Sequence, residues 1–549
     1  MQTKEKNFEQ DIEQYLLTEG GYTKGTQETY DKKRAIDMAT LIRFIETTQP
    51  KQWSRYVNIY GEKVADQLYK VFQADVAKYG LIHVLRNGVK DRGVGLKFVY
   101  FAPASHLNEE LVAKYEANIL TETRQFAYST ENHNTIDMVL SVNGIPVVAL
   151  ELKNQFTGQT VDNAKHQWMY DRDPKEPLFQ YNKRILTYFC VDLEEVWMTT
   201  HLQGEKTYFL PFNQGSNGAG NVGDGGNPAN PEGYMTSYLW ERVLRREMLL
   251  SILQRYINEQ VEKKVSIHNG KKVTEHSARI IFPRYHQLDV VERLVEDTRE
   301  SKKGRNFLLQ HSAGSGKSNS IAWLTYRLAS LHDKEDKEKF QSVFVVTDRR
   351  VLNSQLQNTI LGFEHLEGQI VTITDHDNST KLRDAINDKK RIIITTLHRF
   401  PIIYKELDEH KGKRFAIIVD EAHSSQSGKS AEKLKAALAD TDEALKKLAE
   451  WEEKSEEQLR DEMDEMTETL LTQGQHGNLF FYAFTATPKP KTLQTFGVER
   501  PDGTFDAYHH YSMRQAIDEG FILDVLKYYT TLETSYEIAK TVSDNPEYD

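Results

Sequence analysis

Cysteine is almost missing from this chain. Cys190 stands alone among 549 residues, which excludes an internal disulfide and fits a reducing, cytoplasmic setting. No apolar run is long enough to cross a bilayer, so no membrane partner is expected. No charged, apolar and small-residue succession opens the chain, so export is not expected either. Positive charge is in deficit, with 70 Lys and Arg against 81 Asp and Glu and a net charge of −11. That deficit excludes little, because nucleic acid is held by local basic surfaces and a large protein can carry acidic faces elsewhere. What remains is ordinarily globular, 39% hydrophobic and 28% charged, and long enough for roughly three or four domains.

The N-terminal part mixes amphipathic helices with β-rich runs. Phe8, Ile12 and Leu16 recur at helical spacing, and Gly20-Gly21 ends that helix. Ile145 to Leu152 reads as a strand with Pro146 confined to its start. The Gly- and Asn-rich stretch from Asn213 to Gly233 reads as a mobile loop or linker. From Arg279 onward, short apolar runs alternate with helical stretches: Asn306–Leu309, Ser342–Val346, Arg391–Thr395, Phe415–Val419 and Leu479–Phe484. Runs of that kind suit a parallel sheet covered on both faces. Ala431 to Leu470 is charge-dense and free of Gly and Pro, which predicts one or two long solvated helices inserted into the α/β unit.

Two groups of residues carry chemistry. Asp137, Glu151 and Lys153 have the spacing of a metal-dependent nuclease: two carboxylates to fix Mg²⁺ and a lysine to position or deprotonate water. Strand alternation puts Glu151 and Lys153 on one face, and Asp137 must reach that face from a neighbouring strand. Asn143-Gly144 between them signals a hairpin. A two-residue turn pairing Val142 with Ile145 would put Asp137 on the wrong face. A three-residue loop pairing Ser141 with Ile145 would set Asp137 opposite Ala149, diagonal to Glu151 and on its side. The second register is therefore expected.

The other group is an ATP site. Gly314, Gly316, Lys317 and Ser318 follow a strand-like run and precede a helix-like one, the context of a phosphate-binding loop. Lys317 would reach the β- and γ-phosphates and Ser318 would ligate Mg²⁺. His311 stands where the strict pattern begins with Gly. Asp420, at the end of an apolar run, would hold the Mg²⁺, and Glu421 would orient the attacking water.

Through these motifs the chain resembles superfamily 2 helicases and translocases. Ala313-Gly-Ser-Gly-Lys-Ser318, Asp420-Glu421-Ala-His423 and Thr485-Ala-Thr487-Pro488 carry the likeness, with Asp348–Gln355 and Thr395–Phe400 between them. Arg284-Tyr-His-Gln287 resembles that group's adenine-reading motif, which makes Gln287 a nucleotide contact alongside His423, Thr485 and Thr487. Joined to Asp137 and the run Asn143–Asn154, the whole resembles the restriction (R) subunit of type I restriction-modification enzymes. The resemblance implies an α/β multi-domain fold. A restriction-endonuclease-like domain (1–200) precedes a loop and helical linker (201–278) and a RecA-like parallel-sheet motor domain (279–525). Residues 526–549 begin a connection to a second motor domain, and the chain is expected to be a fragment. The resemblance also implies duplex DNA as substrate, ATP and Mg²⁺ as cofactors, and modification and specificity subunits as partners. Relatives carry Gln-x-x-x-Tyr after the lysine, whereas Gln167 and Tyr170 here are separated by two residues. Two other readings stand beside this one: a nuclease–helicase of DNA repair, and a DNA-bound ATP-dependent assembly subunit that does not cleave. A basic cluster of Arg86, Lys90, Arg92 and Lys97 is the candidate DNA track, against the plainer reading of a solvated face.

Overall fold

The structure is a computed structural model that describes residues 2–105, 107–268, 271–347, 356, 359–360, 368–373, 377, 379–396, 412–420 and 478–524. Helix α1 (Gln2–Thr18) forms where the apolar spacing predicted it and buries Phe8, Ile12 and Leu16. Helices α2 (Met38–Thr48), α3 (Pro50–Tyr60), α4 (Val64–Tyr79) and α5 (Leu81–Asn87) follow. Asp37 caps α2 by accepting from the Thr40 N–H, and Pro50 opens α3 with a fixed φ.

Among the described residues the first sheet has seven strands lying in chain order: β1 (Thr23–Lys24), β2 (Leu120–Ala127), β3 (Thr135–Val142), β4 (Ile145–Leu152), β5 (Thr187–Val191), β6 (Val196–Thr199) and β7 (Leu210–Pro211). The β1–β2 and β4–β5 pairs are parallel and the others antiparallel. Helix α6 (Val161–His166) lies in the connection from β4 to β5, which a parallel pair requires. Every residue of β4 is buried, because both faces of the strand are covered. Leu150 and Leu152 join the core that holds Phe8, Ile12 and Leu16 of α1. Val139 and Ala149 join a second core with Trp168 and Tyr188 on the α6 side.

The β3–β4 register differs from both sequence expectations. Asn143 and Gly144 have φ of 51° and 82°, a two-residue turn that pairs Val142 with Ile145 and Ser141 with Pro146. The ladder then shifts, and Leu140 pairs with Val148, Val139 with Ala149 and Met138 with Leu150. Val147 is thus the extra residue of a β-bulge. The bulge moves the register by one, so the next pair along sets Asp137 directly opposite Glu151. The three-residue loop is corrected to a two-residue turn plus a bulge, and the shared face is reached by that other route.

The second expectation that fails is the mobile linker. The Asn213–Gly233 segment is built on side-chain amides that satisfy backbone groups. Asn213 Oδ1 accepts from the Val196 N–H, and Asn227 donates to the Glu194 carbonyl while accepting from the Gln214 N–H. Its composition signals flexibility, yet Asn and Gly here supply turns and internal hydrogen bonds. The following residues are not all helical. Beyond short helical turns, β8 (Asn258–His268) and β9 (Lys271–Ile281) form a long antiparallel hairpin with eleven paired positions.

Helix α7 (Tyr285–Glu300) opens the second unit. Its sheet has seven described strands: β10 (Asn306–His311), β11 (Ser342–Thr347), β12 (Ile370–Thr372), β13 (Ile392–Thr396), β14 (Phe415–Val419), β15 (Leu479–Thr485) and β16 (His509–Tyr511). All are parallel, in the order β12-β13-β11-β14-β15-β10-β16, as the apolar runs predicted. Helices α8 (Lys317–Ala329) and α9 (Met513–Asp518) follow β10 and β16. The two units share one apolar core: Phe212 packs on Phe282 and Tyr285, Tyr238 packs on Tyr285, and Trp323 donates to the Tyr256 carbonyl. The expectations for Asp348–Gln355, for 397–400, for Glu421 and His423, for the charged helices at 431–470 and for 526–549 lie outside the described residues. Among the described residues no helix is long and apolar enough to cross a membrane.

Candidate functional site

The first site lies at the ends of β3 and β4, on the α6 face. Asp137 Oδ2 accepts from the Leu152 N–H at 2.7 Å and from Lys153 Nζ at 3.4 Å. Lys153 Nζ also lies 3.9 Å from Glu151 Oε2, so one ammonium faces both carboxylates. Glu151 is fully buried, and its Oε2 has no hydrogen-bond donor. Burial, and after it the Asp137 carboxylate, push Glu151 well above the usual carboxylate range, while Arg172 and Lys153 oppose the shift. A fully buried carboxylate with one oxygen lacking a donor, beside the partly exposed carboxylate of Asp137, matches the donor set of a hard divalent cation. Among the described residues no group of three or more His, Cys, Asp or Glu side chains is arranged to hold a metal ion. Mg²⁺ does not need one, since it keeps several waters and takes one or two carboxylates.

Arg172 was not singled out in the sequence, yet it is the cation closest to Glu151, with Nη2 at 2.6 Å from Oε1. No local pattern marks it, because the partner lies twenty-one residues away in the chain. Gln167 and Tyr170 fall in a π-helical stretch after α6, where helical residue counting fails. The Gln167 Oε1 atom is buried without a hydrogen-bond donor, and Tyr170 is exposed against His166.

The basic cluster does not hold together as a DNA track. Arg86 turns inward and donates to the carbonyls of Leu253 and Ile257, and burial lowers its guanidinium to about 10. Lys97 donates to the Arg86 carbonyl. Only Lys90 and Arg92 are exposed.

The second site lies along the C-terminal edge of the parallel sheet. The loop from Ser312 to Gly316 joins β10 to α8, with Gly314 and Gly316 at φ of 75° and 74°. A Cβ on Gly316 would sit 2.5 Å from Gln287 Nε2 at a left-handed φ, so a side chain there would strain the backbone and displace the amide that holds the loop. Three residues at the start of α7 tie down the loop's carbonyls: Arg284 bonds Gly314, His286 bonds Ser315, and Gln287 bonds Ser315 and Gly316. The Gln287 Oε1 atom accepts from the Arg284 N–H, so in this structure both ends of its amide are engaged with the protein. Lys317 Nζ lies 3.4 Å from the His311 carbonyl, and Ser318 follows in the first turn of α8. Asp420 follows β14 and Thr485 closes β15, and the strand order places β15 between β14 and the loop-bearing β10. Thr485 Oγ1 accepts from the Thr487 N–H. Gly314, Gly316, Lys317, Ser318, Asp420, Thr485 and Thr487 thus share one sheet edge, where ligands bind in open α/β sheets.

Comparison with known proteins gives each unit a relative. Residues 2–207 match the family described as Type I restriction enzyme R protein N terminus, and residues 286–444 match SWI2/SNF2 ATPase. The endonuclease subunit of the Methanocaldococcus jannaschii type I restriction enzyme MjaVIIIP is 24% identical over 344 residues, 58% of this chain and 30% of that protein. The HindI endonuclease subunit of Haemophilus influenzae is 27% identical, over 53% of this chain and 26% of that protein. This chain therefore spans under a third of the length of those relatives. The fragment structure of an HsdR subunit from Vibrio vulnificus YJ016 is 15% identical and covers 73% of this chain and 56% of that one, but its TM-score of 0.27 is too low to signify a shared fold. The C-terminal part of the Mycoplasma pneumoniae MpnIIP endonuclease subunit is 32% identical over 152 residues, 26% of this chain and 68% of that protein. The chain belongs to the family of type I restriction enzyme endonuclease (R) subunits.

Proposed function

We propose that this chain carries the DNA-cleaving centre and an ATP-driven translocating unit of a type I restriction enzyme. The observation that supports it best is the register that sets Asp137 opposite Glu151, with Lys153 between them and Glu151 Oε2 without a donor. Asp137 and Glu151 would hold Mg²⁺, which polarises a phosphodiester and acidifies water. Lys153, on the same face, holds the water or takes its proton. The bulge at Val147 fixes the register on which the arrangement depends.

In the second unit, Arg284, His286 and Gln287 hold the loop's carbonyls and fix its shape, and the N–H groups of Gly314 and Gly316 would meet the phosphates of ATP, those of Ser312 and Ser315 being bonded within the protein. Lys317 would neutralise the β- and γ-phosphates, with Ser318 and Asp420 on the Mg²⁺. Glu421 would orient water, with His423, Thr485 and Thr487 along the same edge. Duplex DNA is the substrate on this reading, and modification and specificity subunits are the partners.

The test is nicking of supercoiled plasmid by the chain assembled with those subunits, with Mg²⁺ and ATP. Asp137→Ala should abolish nicking and leave ATP hydrolysis intact, and Lys317→Ala should lose nucleotide binding. Nicking that survives Asp137→Ala would refute the site.

A further inference from the structure

Arg172 belongs to no motif, yet it is only 5% exposed and committed on every side. Nη2 donates to Glu151 Oε1 and to the Thr135 carbonyl at 2.8 Å, and Nε donates to the same Oε1 at 3.2 Å. Nη1 donates to the Asp171 carbonyl at 3.3 Å, and the Tyr128 and Trp168 rings flank the guanidinium. The contact with Glu151 is one-sided. Arginine commonly grips both oxygens of a carboxylate, but here both donors converge on Oε1 while Oε2 stays without a donor. Two backbone carbonyls depend on the same guanidinium, so it cannot leave cheaply when a metal arrives.

Charge counting then separates this site from a two-carboxylate, one-lysine centre. Even with both carboxylates ionised, Asp137 and Glu151 are no more than balanced by Lys153 and Arg172, so the site without metal carries no net negative charge to draw a cation in. A divalent ion shared by the carboxylates would join two buried cations, and its repulsion from each scales with its double charge.

Resting on the nuclease reading above, we propose that Arg172 is a resident counter-ion that keeps divalent-metal affinity low until a phosphodiester brings compensating negative charge. Metal occupancy is thereby tied to bound DNA, and an idle site is spared from activating water.

The experiment is Mn²⁺ binding to the full chain, followed by electron paramagnetic resonance with and without a short duplex, taking as site-specific the signal lost in Asp137→Ala. Two variants separate charge from shape: Arg172→Gln is neutral but keeps a donor, and Arg172→Lys keeps the charge but loses the fork. The wild type should bind Mn²⁺ weakly alone and at least tenfold more tightly with duplex. Arg172→Gln should bind at least tenfold more tightly than wild type without DNA and gain little from the duplex. Arg172→Lys should stay within about threefold of wild type. Thermal unfolding gives an independent reading, since Mn²⁺ should raise the midpoint of Arg172→Gln more than that of wild type. Equal or weaker Mn²⁺ binding by Arg172→Gln, or its failure to fold whether or not Mn²⁺ is present, would overturn the counter-ion role while leaving the nuclease site standing. A wild type with no Mn²⁺ signal sensitive to Asp137→Ala, with or without duplex, would overturn both.

Discussion

Glu122→Gln should stabilise the first unit in mildly alkaline solution. Glu122 lies on β2 with its side chain fully buried, and neither carboxylate oxygen has a hydrogen-bond donor. The nearby cations are already taken: Lys24 pairs with Glu13, and Arg124 pairs with both Glu9 and Glu13. Burial, reinforced by Glu13, raises the Glu122 carboxyl to about 7 from an ordinary 4.5. Each unit of such a difference corresponds to about 1.4 kcal/mol, so ionised Glu122 costs up to about 3 kcal/mol. The folded state holds its proton more tightly than the unfolded chain, so this stability is fully present below pH 4.5 and is lost as pH rises through about 7. Glutamine has the shape of the protonated acid and does not titrate. Urea unfolding followed by tryptophan fluorescence at pH 5, 6, 7 and 8 measures the gap between the two proteins. It should widen toward pH 8 in favour of Glu122→Gln and approach its limit above pH 7. A gap that stays constant from pH 5 to pH 8 would show that Glu122 has found a partner and would refute the reasoning.

Gly316→Ala places a Cβ 2.5 Å from Gln287 Nε2 at a φ of 74°, so nucleotide affinity should fall tenfold or more, as read by fluorescent-nucleotide titration. Gly220→Ala brings a Cβ to 2.8 Å from a ring carbon of the buried His509 at a φ of 80°, and thermal unfolding should report a loss of about 1–3 kcal/mol. Arg86→Ala strips the donors from the Leu253 and Ile257 carbonyls and should lower stability by about 1–3 kcal/mol, with DNA affinity unchanged in a gel-shift titration.

Ile145–Leu152 in the first sheet and five strands of the second were legible because each is an apolar run of the right length, and the parallel character of the second sheet followed from runs such as Phe415–Val419 that are buried on both faces; Leu120–Ala127, with its alternating Thr, Glu and Arg, and the three-residue strands carry no such signal. That same double burial hid the bulge. From Val147 to Leu150 every residue is apolar, so no polar alternation reveals which side chain is the extra one. Asp137, Glu151 and Lys153 were readable from spacing, but Arg172 was not, since its pairing is made by the fold. Gly- and Asn-rich composition misled at 213–233, where those residues act as turn formers and backbone donors. The β8–β9 hairpin escaped notice although Asn269-Gly270 stands between its strands in the sequence, the same dipeptide that marks the β3–β4 turn.

The segment from Asn213 to Gly233 is more than a connection. Gly220 bridges to His510, Arg293 donates to the Ala219 carbonyl, Ser512 donates to the Gly223 carbonyl, and Gly225 donates to Asp518. On its other side the segment is fastened to the first sheet through Asn213 and Asn227. The two units are therefore not interchangeable cassettes. A chimaera that joins this first unit to a foreign ATPase at a break near residue 213 would strip partners from β16 and α9 and expose Phe212 and Tyr238. Recombination between related genes would preserve a working protein only where the crossover keeps 213–233 together with the surface around His510 and Asp518 that receives it.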